Sequence, residues 1–142
     1  MTIRIKKTHS EAILPQYAHP GDAGMDFFSN EEINLKPGER KLIPTGISMA
    51  IPMGYVGLLW DKSGIASTFG IKSMAGVIDA GYRGEIRILL HNLSQNEFKI
   101  EKGMKIAQML IQPVEQKQLL EVDDLEDTQR SDGGFGSTGL KL

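Results

Sequence analysis

Short apolar runs separated by turn residues dominate the pattern along this chain. Residues 42–51 and 104–113 are mostly apolar, and residues 85–93 alternate between apolar and polar positions. An alternation with a period of two places every second side chain on the same face of a strand. Turn signals, such as the Pro-Met-Gly sequence at residues 52–54, separate these runs at short intervals. The pattern therefore predicts an all-β domain, arranged as a jelly roll or a β sandwich.

One stretch interrupts the strands and predicts a short helix. Ser63 is expected to cap a segment of one or two helical turns at residues 64–68. The free N–H groups at the start of a helix, together with the positive charge of Lys62, suit an anionic ligand. A capped connector helix beside a solvated lysine explains the same residues, and the sequence leaves both interpretations open.

Residues 76–84 combine three glycines with one acid and an aromatic residue, and they lie between two apolar runs. Glycine permits positive φ and a close approach of the backbone, so the segment predicts a tight hairpin. Asp79 and Tyr82 are three positions apart, so both can face a ligand that is held near the backbone. In the alternative, the segment is an ordinary hairpin in which Asp79 caps its own turn.

Two polar residues lie inside apolar runs. Asp26 is embedded in the short run at residues 23–28, and Gln108 lies within residues 104–113. A buried acid is costly unless it is hydrogen-bonded or paired, and a buried amide also needs partners. Each of these side chains therefore either bonds to the neighbouring backbone or faces a polar site.

The C-terminal part of the chain has a different composition. Residues 118–122 predict a last strand, and residues 121–127 are strongly acidic. Residues 134–139 match GxGxxG, but too few residues follow for the helix and acid of a dinucleotide fingerprint. Arg130, Phe135 and hydroxyls interleaved with glycine suit a mobile lid that binds a polyphosphate and covers a base. The alternative is a disordered tail.

Composition narrows the classes of function. The 142 residues suit one domain, and a formal net charge of −2 gives no electrostatic footprint for nucleic acid. There is no cysteine and the three histidines lack metal-ligand spacing, so disulfides, thiolate chemistry and a histidine metal site are not expected. The start of the chain lacks the apolar region of a signal peptide, and no apolar run reaches the length of a membrane span. The cytoplasm is the expected compartment.

The sequence resembles the trimeric dUTPase family, whose five motifs match, in order, residues 23–26, 62–64, 76–84, 103–108 and 130–139. The resemblance implies a distorted jelly roll of the β-clip type at residues 1–128, with one short helix, and a flexible glycine-rich lid at residues 129–142. It implies Mg²⁺-assisted attack of water on the α-phosphate of dUTP, which yields dUMP and pyrophosphate, lowers dUTP and supplies dUMP for thymidylate synthesis. It also implies a homotrimer in which each site is built from all three chains.

The resemblance assigns roles to individual residues. Asp79 is the catalytic residue that orients and activates the attacking water, and Asp26 supports the site from behind. Tyr82 packs under the deoxyribose and leaves no room for a 2′-hydroxyl. The backbone of residues 73–78 pairs with uracil and excludes the methyl group of thymine. Arg130 binds the terminal phosphate and Phe135 covers the base. The residues expected to contact the substrate are Lys62, Ser63, Gly64 and Gln108 at the phosphates, Ser73, Gly76, Val77 and Ile78 at the base, and Tyr82, Arg87, Arg130, Phe135, Gly136 and Ser137.

Two positions depart from the motifs of the family. Lys62 stands where the second motif usually has arginine, so the charge is kept while the bidentate fork is lost. Gly81 stands where the third motif often has a second acid, which leaves Asp79 as the acid of that turn. The cations expected near the polyphosphate are few, so Mg²⁺ is expected to supply the balance. The chain offers it no clustered carboxylates, and the triphosphate and waters are expected to hold it.

Two other functions compete with this interpretation. A dCTP deaminase, or a bifunctional deaminase–pyrophosphatase, shares the fold, but its glutamate in the strand after the third-motif Asp is replaced here by Leu89. Deamination is therefore not expected. A non-catalytic β-sandwich assembly module explains the strands, but it explains neither the acid at position 26 nor the arginine and glycines of residues 130–139.

Overall fold

The computed structural model of the chain describes residues 2–134. In that part of the chain, a series of strands is interrupted by one short helix. The elements, in order, are β1 (Arg4–Lys7), β2 (Met25–Phe28), β3 (Ile33–Leu35), β4 (Arg40–Pro44), β5 (Ile47–Ala50), β6 (Tyr55–Asp61), α1 (Ser63–Phe69), β7 (Ile71–Met74), β8 (Val77–Ile78), β9 (Arg87–Asn92), β10 (Phe98–Ile100) and β11 (Lys105–Pro113). The predicted all-β domain with one short helix is confirmed. No helix within residues 2–134 is long and apolar enough to cross a membrane.

Two antiparallel sheets carry the segments that matter for function. One has the strand order β2-β11-β6-β8, and the other has the order β4-β9-β7. Two further antiparallel pairs are formed by β1 with β5 and by β3 with β10. The first sheet brings β2, β6 and β11 side by side, so the segments that resemble the first, second and fourth motifs become neighbours.

The core is built from the apolar faces of alternating strands. Ile88 and Leu90 of β9 are each 1% exposed, whereas Arg87 on the other face is exposed. Ile86, just before the strand, is also 1% exposed, so the predicted alternation over residues 85–93 is confirmed. Burying a side chain of this size contributes about 1.5–3 kcal/mol relative to leaving it exposed. In β2 all four residues are buried, so this strand carries a carboxylate into the interior.

The predicted last strand at residues 118–122 is not formed. These residues have no regular structure, and Leu119 and Leu120 are 92% and 81% exposed. An apolar run becomes a strand only where a neighbouring strand satisfies its backbone hydrogen bonds. Within the described part of this chain, no strand is paired with residues 118–122.

Residues 76–84 do not form the predicted hairpin. β8, at the start of this segment, pairs with β6, whereas β9, which follows it, pairs with β4 and β7, so the strands on either side are not partners. A tight turn lies at the start of the segment instead, where the chain crosses from β7 in one sheet to β8 in the other. The turn lies at Ala75 and Gly76, with φ of 57° and 104°. A Cβ at Gly76 would lie 2.8 Å from the carbonyl oxygen of Leu59, so both φ and space require glycine there. We refer to residues 73–78 as the crossing loop.

Candidate active site

A cleft of about 730 Å³ lies at the side of the first sheet, next to the start of α1. We refer to it as the lysine cleft. Its wall includes Gly24 and Asp26 from the region of β2, Lys62 and Ser63 at the end of β6, and Gln108 from β11. Three of the five motif-like segments therefore meet at one depression in the surface.

Asp26 is the charged centre of the lysine cleft and is 1% exposed. The Nζ of Lys62 lies 2.6 Å from its Oδ1, and the Nζ of Lys105 lies 2.8 Å from its Oδ2. Burial acts to raise the pKa of Asp26, but the hydrogen bonds and charges of Lys105 and Lys62 outweigh burial, so its pKa is lowered. Of the two alternatives for Asp26, the structure shows the polar site, because its carboxylate holds two ammonium groups at the cleft.

Both arrangements expected for Gln108 are formed: its amide bonds to the backbone, and its side chain faces the lysine cleft. It is paired with Asp26 in the register of β2 and β11. Its Nε2 donates a hydrogen bond to the carbonyl oxygen of Asp61 at 2.9 Å, so one side of the amide is bonded to backbone. Its Oε1 lies against Gly24, where any added side chain would collide with it. The rest of the side chain lines the lysine cleft.

The helix beside the cleft starts one residue earlier than predicted. Lys62 occupies the N-cap position with φ −81° and ψ 117°, and no side chain caps the helix. The prediction that Ser63 is the cap is therefore wrong, since Ser63 is already the first helical residue. Ser63 is exposed and lines the cleft. At Gly64 a Cβ would meet no atom within 4 Å, so the backbone there is open to a ligand.

The crossing loop is held against β6 at three points. The side chain of Asp61 accepts hydrogen bonds from the backbone N–H and the hydroxyl of Ser73, both at 2.6 Å. The N–H of Leu59 donates to the carbonyl of Gly76 at 2.8 Å. The register of β6 with β8 then pairs Gly57 with Ile78. Between these points lies a recess of about 210 Å³, whose lining includes Trp60, Ser73, Gly76 and Val77.

Asp79 follows the crossing loop and lines a separate cleft of about 590 Å³. Its carbonyl oxygen accepts the N–H of Tyr82 at 3.0 Å, so the backbone closes a turn. The side chain of Asp79 is exposed, and within residues 2–134 its carboxylate takes no part in the hydrogen bonds of that turn. The alternative in which Asp79 caps its own turn is therefore not formed, and its carboxylate is accessible to water.

Tyr82 is fixed by the turn that follows Asp79. Its hydroxyl donates to the carbonyl of Glu85 at 3.0 Å, and its ring lies so close to Gly84 that any side chain there would collide with it. The carboxylate of Glu85 accepts the N–H of Gly46 at 2.8 Å and an ion pair from Arg87 at 3.2 Å. Tyr82 is 45% exposed, so part of the side chain is accessible from solvent.

A single chain does not bring all the predicted site residues together. Lys62 and Gln108 line the lysine cleft, whereas Asp79 and Val77 line the other cleft. Neither cleft includes Arg87, which is paired with Glu85, or Arg130, whose Nε donates to the carbonyl of Gly133 at 3.0 Å. The last three predicted residues lie outside the described part of the chain: Phe135, Gly136 and Ser137.

Sequence reasoning missed charged residues at the site: Asp22 and Asp61 line the lysine cleft, and Lys105 is paired with Asp26. Asp61 directly precedes the second motif, and Lys105 lies within the fourth. A register shift between Lys105 and Ala107 marks a β-bulge in β11, and a bulge re-aims side chains. A bulge leaves no periodic signal in a single sequence, so the proximity of Lys105 to Asp26 was not predictable. The position of Asp61, next to a motif lysine, was a signal that could have been followed.

The fold and the site together define a small β-sheet protein with a polar cleft, in which Lys62 and Ser63 lie at the start of the helix. The family model described as dUTPase matches residues 10–139, which is most of the chain. The chain belongs to the dUTPase family, and its activity is the hydrolysis of dUTP to dUMP and pyrophosphate.

Relatives and solved structures agree with this family. A deoxyuridine 5'-triphosphate nucleotidohydrolase of Clostridium kluyveri is 54% identical, over 98% of this chain and 99% of the relative. Its counterpart in Clostridium novyi is 51% identical, over 99% and 100%. The solved dUTPase of Staphylococcus bacteriophage 80alpha with dUpNHpp has a TM-score of 0.92 and 34% identity, over 98% of this chain and 99% of that chain. The β-clip jelly roll implied by the motifs is thereby confirmed.

The ion pairs of Asp26 predict an acid-dependent loss of stability. Because the folded-state pKa of Asp26 is lowered, its contribution is fully present above the unfolded value of 3.8 and is lost as the pH falls through the folded pKa. Asp26→Asn removes the charge that both lysines contact, but the lysine side chains stay partly exposed to water, so the substitution is expected to cost about 1–3 kcal/mol at pH 7. Urea unfolding at equal protein concentration measures the free energy of unfolding of both proteins.

The difference between wild type and Asp26→Asn is expected to narrow as the pH is lowered from 7 to 3. Asp61 also has a lowered pKa, but it is present in both proteins and cancels in the difference. Asp123→Asn, at an exposed position outside the sheets, is the matched control and is expected to change stability by less than about 0.5 kcal/mol. An equal difference at both pH values would show that the charge of Asp26 is not what stabilises the fold.

Proposed function

We propose that dUTP is hydrolysed at a site shared between copies of the chain in a homotrimer, with the lysine cleft of one copy facing Asp79 of another. One observation carries this proposal: Lys62 and Asp79 line different clefts of the same chain. The phosphates and the attacking water must lie within hydrogen-bond reach of their partners at the same time. A second copy supplies the catalytic carboxylate, because Asp26 and Asp61 at the lysine cleft are already paired with lysines of their own chain.

The lysine cleft is proposed to hold the triphosphate. Lys62 supplies the positive charge, and Asp26 and Lys105 keep its ammonium group at the wall of the cleft. Ser63 and the open backbone at Gly64 donate hydrogen bonds to phosphate oxygens. Gln108, whose Nε2 is bonded to backbone, is oriented rather than freely rotating. The solved phage 80alpha relative contains dUpNHpp, which supports triphosphate binding by this fold.

The crossing loop is proposed to recognise uracil through its backbone. A pyrimidine has donors and acceptors on one edge, and a backbone held at fixed points offers complementary groups. The recess lined by Ser73, Gly76 and Val77 places that backbone at the surface, and Ile78 anchors its far end against β6. Tyr82, fixed by Glu85, packs under the deoxyribose and leaves no space for a 2′-hydroxyl.

Asp79 is proposed to position the water that attacks the α-phosphorus. Its carboxylate accepts a hydrogen bond from the water and thereby aims the water oxygen at the phosphorus. As the new P–O bond forms, the P–O bond to pyrophosphate breaks on the opposite side, and the proton released by the water passes through the carboxylate to solvent. A carboxylate is a weak base, so its contribution is placement rather than strong proton abstraction. Arg130 binds the terminal phosphate, with Arg87 as a further cation at the site. Residues 129–142, with Phe135 over the base and Gly136 and Ser137 at the phosphates, are proposed to close the site.

Mg²⁺ is proposed to arrive with the triphosphate. Within residues 2–134, no group of three or more histidines and carboxylates is placed to cage a metal ion. The carboxylates at the lysine cleft are also committed, since Asp26 is paired with two lysines and Asp61 with Lys72. This donor set fits an ion held by phosphate oxygens and waters. When bound, Mg²⁺ neutralises part of the phosphate charge. A solved dUTPase of phage phi11, 30% identical, is described with a structural Mg(II) ion.

Product analysis with dUTP, dCTP, dTTP and UTP tests the proposed specificity. In the presence of Mg²⁺, the purified protein is expected to release pyrophosphate from dUTP and to leave the other three largely intact. Conversion of dCTP to dUTP or dUMP would restore the deaminase alternative, for which Leu89 offers no acid or base. Equal hydrolysis of UTP would contradict the role of Tyr82.

The cytoplasm remains the proposed compartment.

A further inference from the structure

Asp61 lies at the lysine cleft and makes polar contacts with both its side chain and its backbone carbonyl. Its Oδ1 accepts the N–H and the hydroxyl of Ser73, both at 2.6 Å. Its Oδ2 lies 2.7 Å from the Nζ of Lys72, and its carbonyl oxygen accepts the Nε2 of Gln108 at 2.9 Å. One residue is therefore bonded to the amide of the lysine cleft and to the first residue of the crossing loop.

The position of Asp61 in the fold makes these contacts a link between sheets. Asp61 is the last residue of β6, in the sheet that forms the lysine cleft. Ser73 lies in β7, which belongs to the other sheet and does not pair with β6. The side chain of Asp61 thus spans the two sheets at the point where the crossing loop begins. Its neighbour Lys62 follows directly in the phosphate-binding segment.

The negative charge of Asp61 is unexpected at a site that is proposed to bind phosphates. A free carboxylate on the wall of the cleft would repel a triphosphate. Burial acts to raise the pKa of Asp61, but the hydrogen bonds and charge from Lys72 and Ser73 outweigh it, so the pKa is lowered and the group stays ionised. Lys72 neutralises that charge, and both hydrogen bonds of Ser73 converge on one oxygen. The carboxylate is directed to the crossing loop rather than to a ligand.

We propose that Asp61 is a positioning residue that sets the crossing loop relative to the lysine cleft, and that it thereby contributes to discrimination between uracil and thymine. This rests on the proposed function of the crossing loop as the uracil site. Thymine differs from uracil by one methyl group, which a tight pocket discriminates by about 10- to 200-fold. A loop that moves away from β6 widens the recess and weakens that discrimination, although no residue of the chemistry has changed.

The test compares kcat/KM for dUTP and dTTP in Asp61→Ala and two companion variants. In Asp61→Ala the ratio of the two values is expected to fall about tenfold, mainly through a higher kcat/KM for dTTP, because a wider recess admits the methyl group. Asp61→Asn keeps an oxygen for the N–H of Ser73 and is expected to retain most of the ratio. Lys99→Met is the control: it removes an exposed ion pair with Glu32 at a position outside both clefts and the recess, and the ratio is expected to stay within about twofold.

An unchanged ratio of kcat/KM for dUTP to that for dTTP in folded Asp61→Ala overturns the proposal. A ratio in Asp61→Asn that is as low as in Asp61→Ala also overturns it, because the charge of Asp61 rather than its geometry would then be responsible. If Asp61→Ala does not fold, Asp61→Glu decides: it keeps the charge and moves the carboxylate by one methylene. The ratio is expected to fall there too, and an unchanged ratio overturns the proposal.

A separate variant shows whether a negative result concerns the role of Asp61 alone or the proposed uracil site as a whole. Val77→Trp fills the recess beside the crossing loop. If the loop binds uracil, Val77→Trp raises the KM for dUTP at least tenfold, whatever Asp61 does. An unchanged KM in Val77→Trp removes the uracil site and with it the role of Asp61. A raised KM in Val77→Trp together with an unchanged ratio in Asp61→Ala removes the role of Asp61 alone.

Discussion

Replacing Asp79 with asparagine is expected to lower the turnover of dUTP by about 100- to 10,000-fold while the nucleotide still binds. The amide has nearly the same size as the carboxylate, but its oxygen carries no charge and is a weaker acceptor for the attacking water. The phosphates and the base are held by other residues, so the dissociation constant is expected to change little. Steady-state kinetics with dUTP and calorimetric titration with dUpNHpp measure the two quantities.

Asp123→Asn makes the same chemical change in the exposed acidic segment and is expected to keep wild-type turnover. If Asp79→Asn turned over dUTP as fast as this control, Asp79 would not position the water. A large rise in the dissociation constant with little change in kcat would instead assign Asp79 to substrate binding.

The same variant tests whether the site is shared between chains. Lys62→Met removes the cation of the lysine cleft and is also expected to be nearly inactive. When Asp79→Asn and Lys62→Met chains are unfolded, mixed in equal amounts and refolded, about a quarter of the sites in randomly mixed trimers contain both wild-type residues. Activity is therefore expected to return to about that fraction of the wild-type value. No recovery from well-folded mixed trimers would place both residues of a site in one chain.

Ending the chain at Gln129 is expected to lower kcat/KM for dUTP by about 100-fold while the β domain stays folded. The deletion removes Arg130, whose charge-assisted contact to a phosphate is worth about 1.5–3 kcal/mol, together with Phe135 and the glycine-rich segment. The described hydrogen bonds of residues 130–134 are local, such as that from Ser131 to Thr128, so the sheets lose no partner. Kinetics and thermal unfolding separate the two effects.

A chain that ends at Gly139 is the matched control for this deletion. It removes only Leu140, Lys141 and Leu142, which follow the last motif, and it is expected to keep wild-type kcat/KM. Full activity of the chain ending at Gln129 would contradict the lid. A loss of thermal stability by more than about 0.5 kcal/mol would mean that the tail also supports the fold.

The strands were largely predictable because each signal is local. A strand that is buried on one face alternates, as residues 85–93 do. A strand that is buried on both faces is apolar throughout, as residues 104–113 mostly are. The predicted strand at residues 118–122 failed because the same composition stays exposed when no strand is paired with it. Local pattern shows which residues are able to form a strand, whereas pairing depends on what the rest of the chain places alongside.

The site was predictable as a set of residues but not as an arrangement. The motifs pointed to Asp26, Lys62 and Gln108, and the structure brings these three to one cleft. The separation of Asp79 from that cleft follows from the route of the crossing loop between two sheets, and no spacing in the sequence encodes it. The sequence does not predict the bulge beside Lys105 either, because the bulge depends on the register between β2 and β11.

Ala75 gives the crossing loop a built-in strain. It adopts φ of 57°, in the left-handed region, although it is not glycine. An L-residue with a Cβ loses about 1–2 kcal/mol in that conformation, so the attachments of the loop to β6 must hold the backbone against a tendency to relax. These attachments belong to the fold itself and form without a nucleotide. If the crossing loop binds uracil as proposed, a backbone that is already held in place loses little conformational entropy on binding, and more of the interaction free energy remains for distinguishing one base from another.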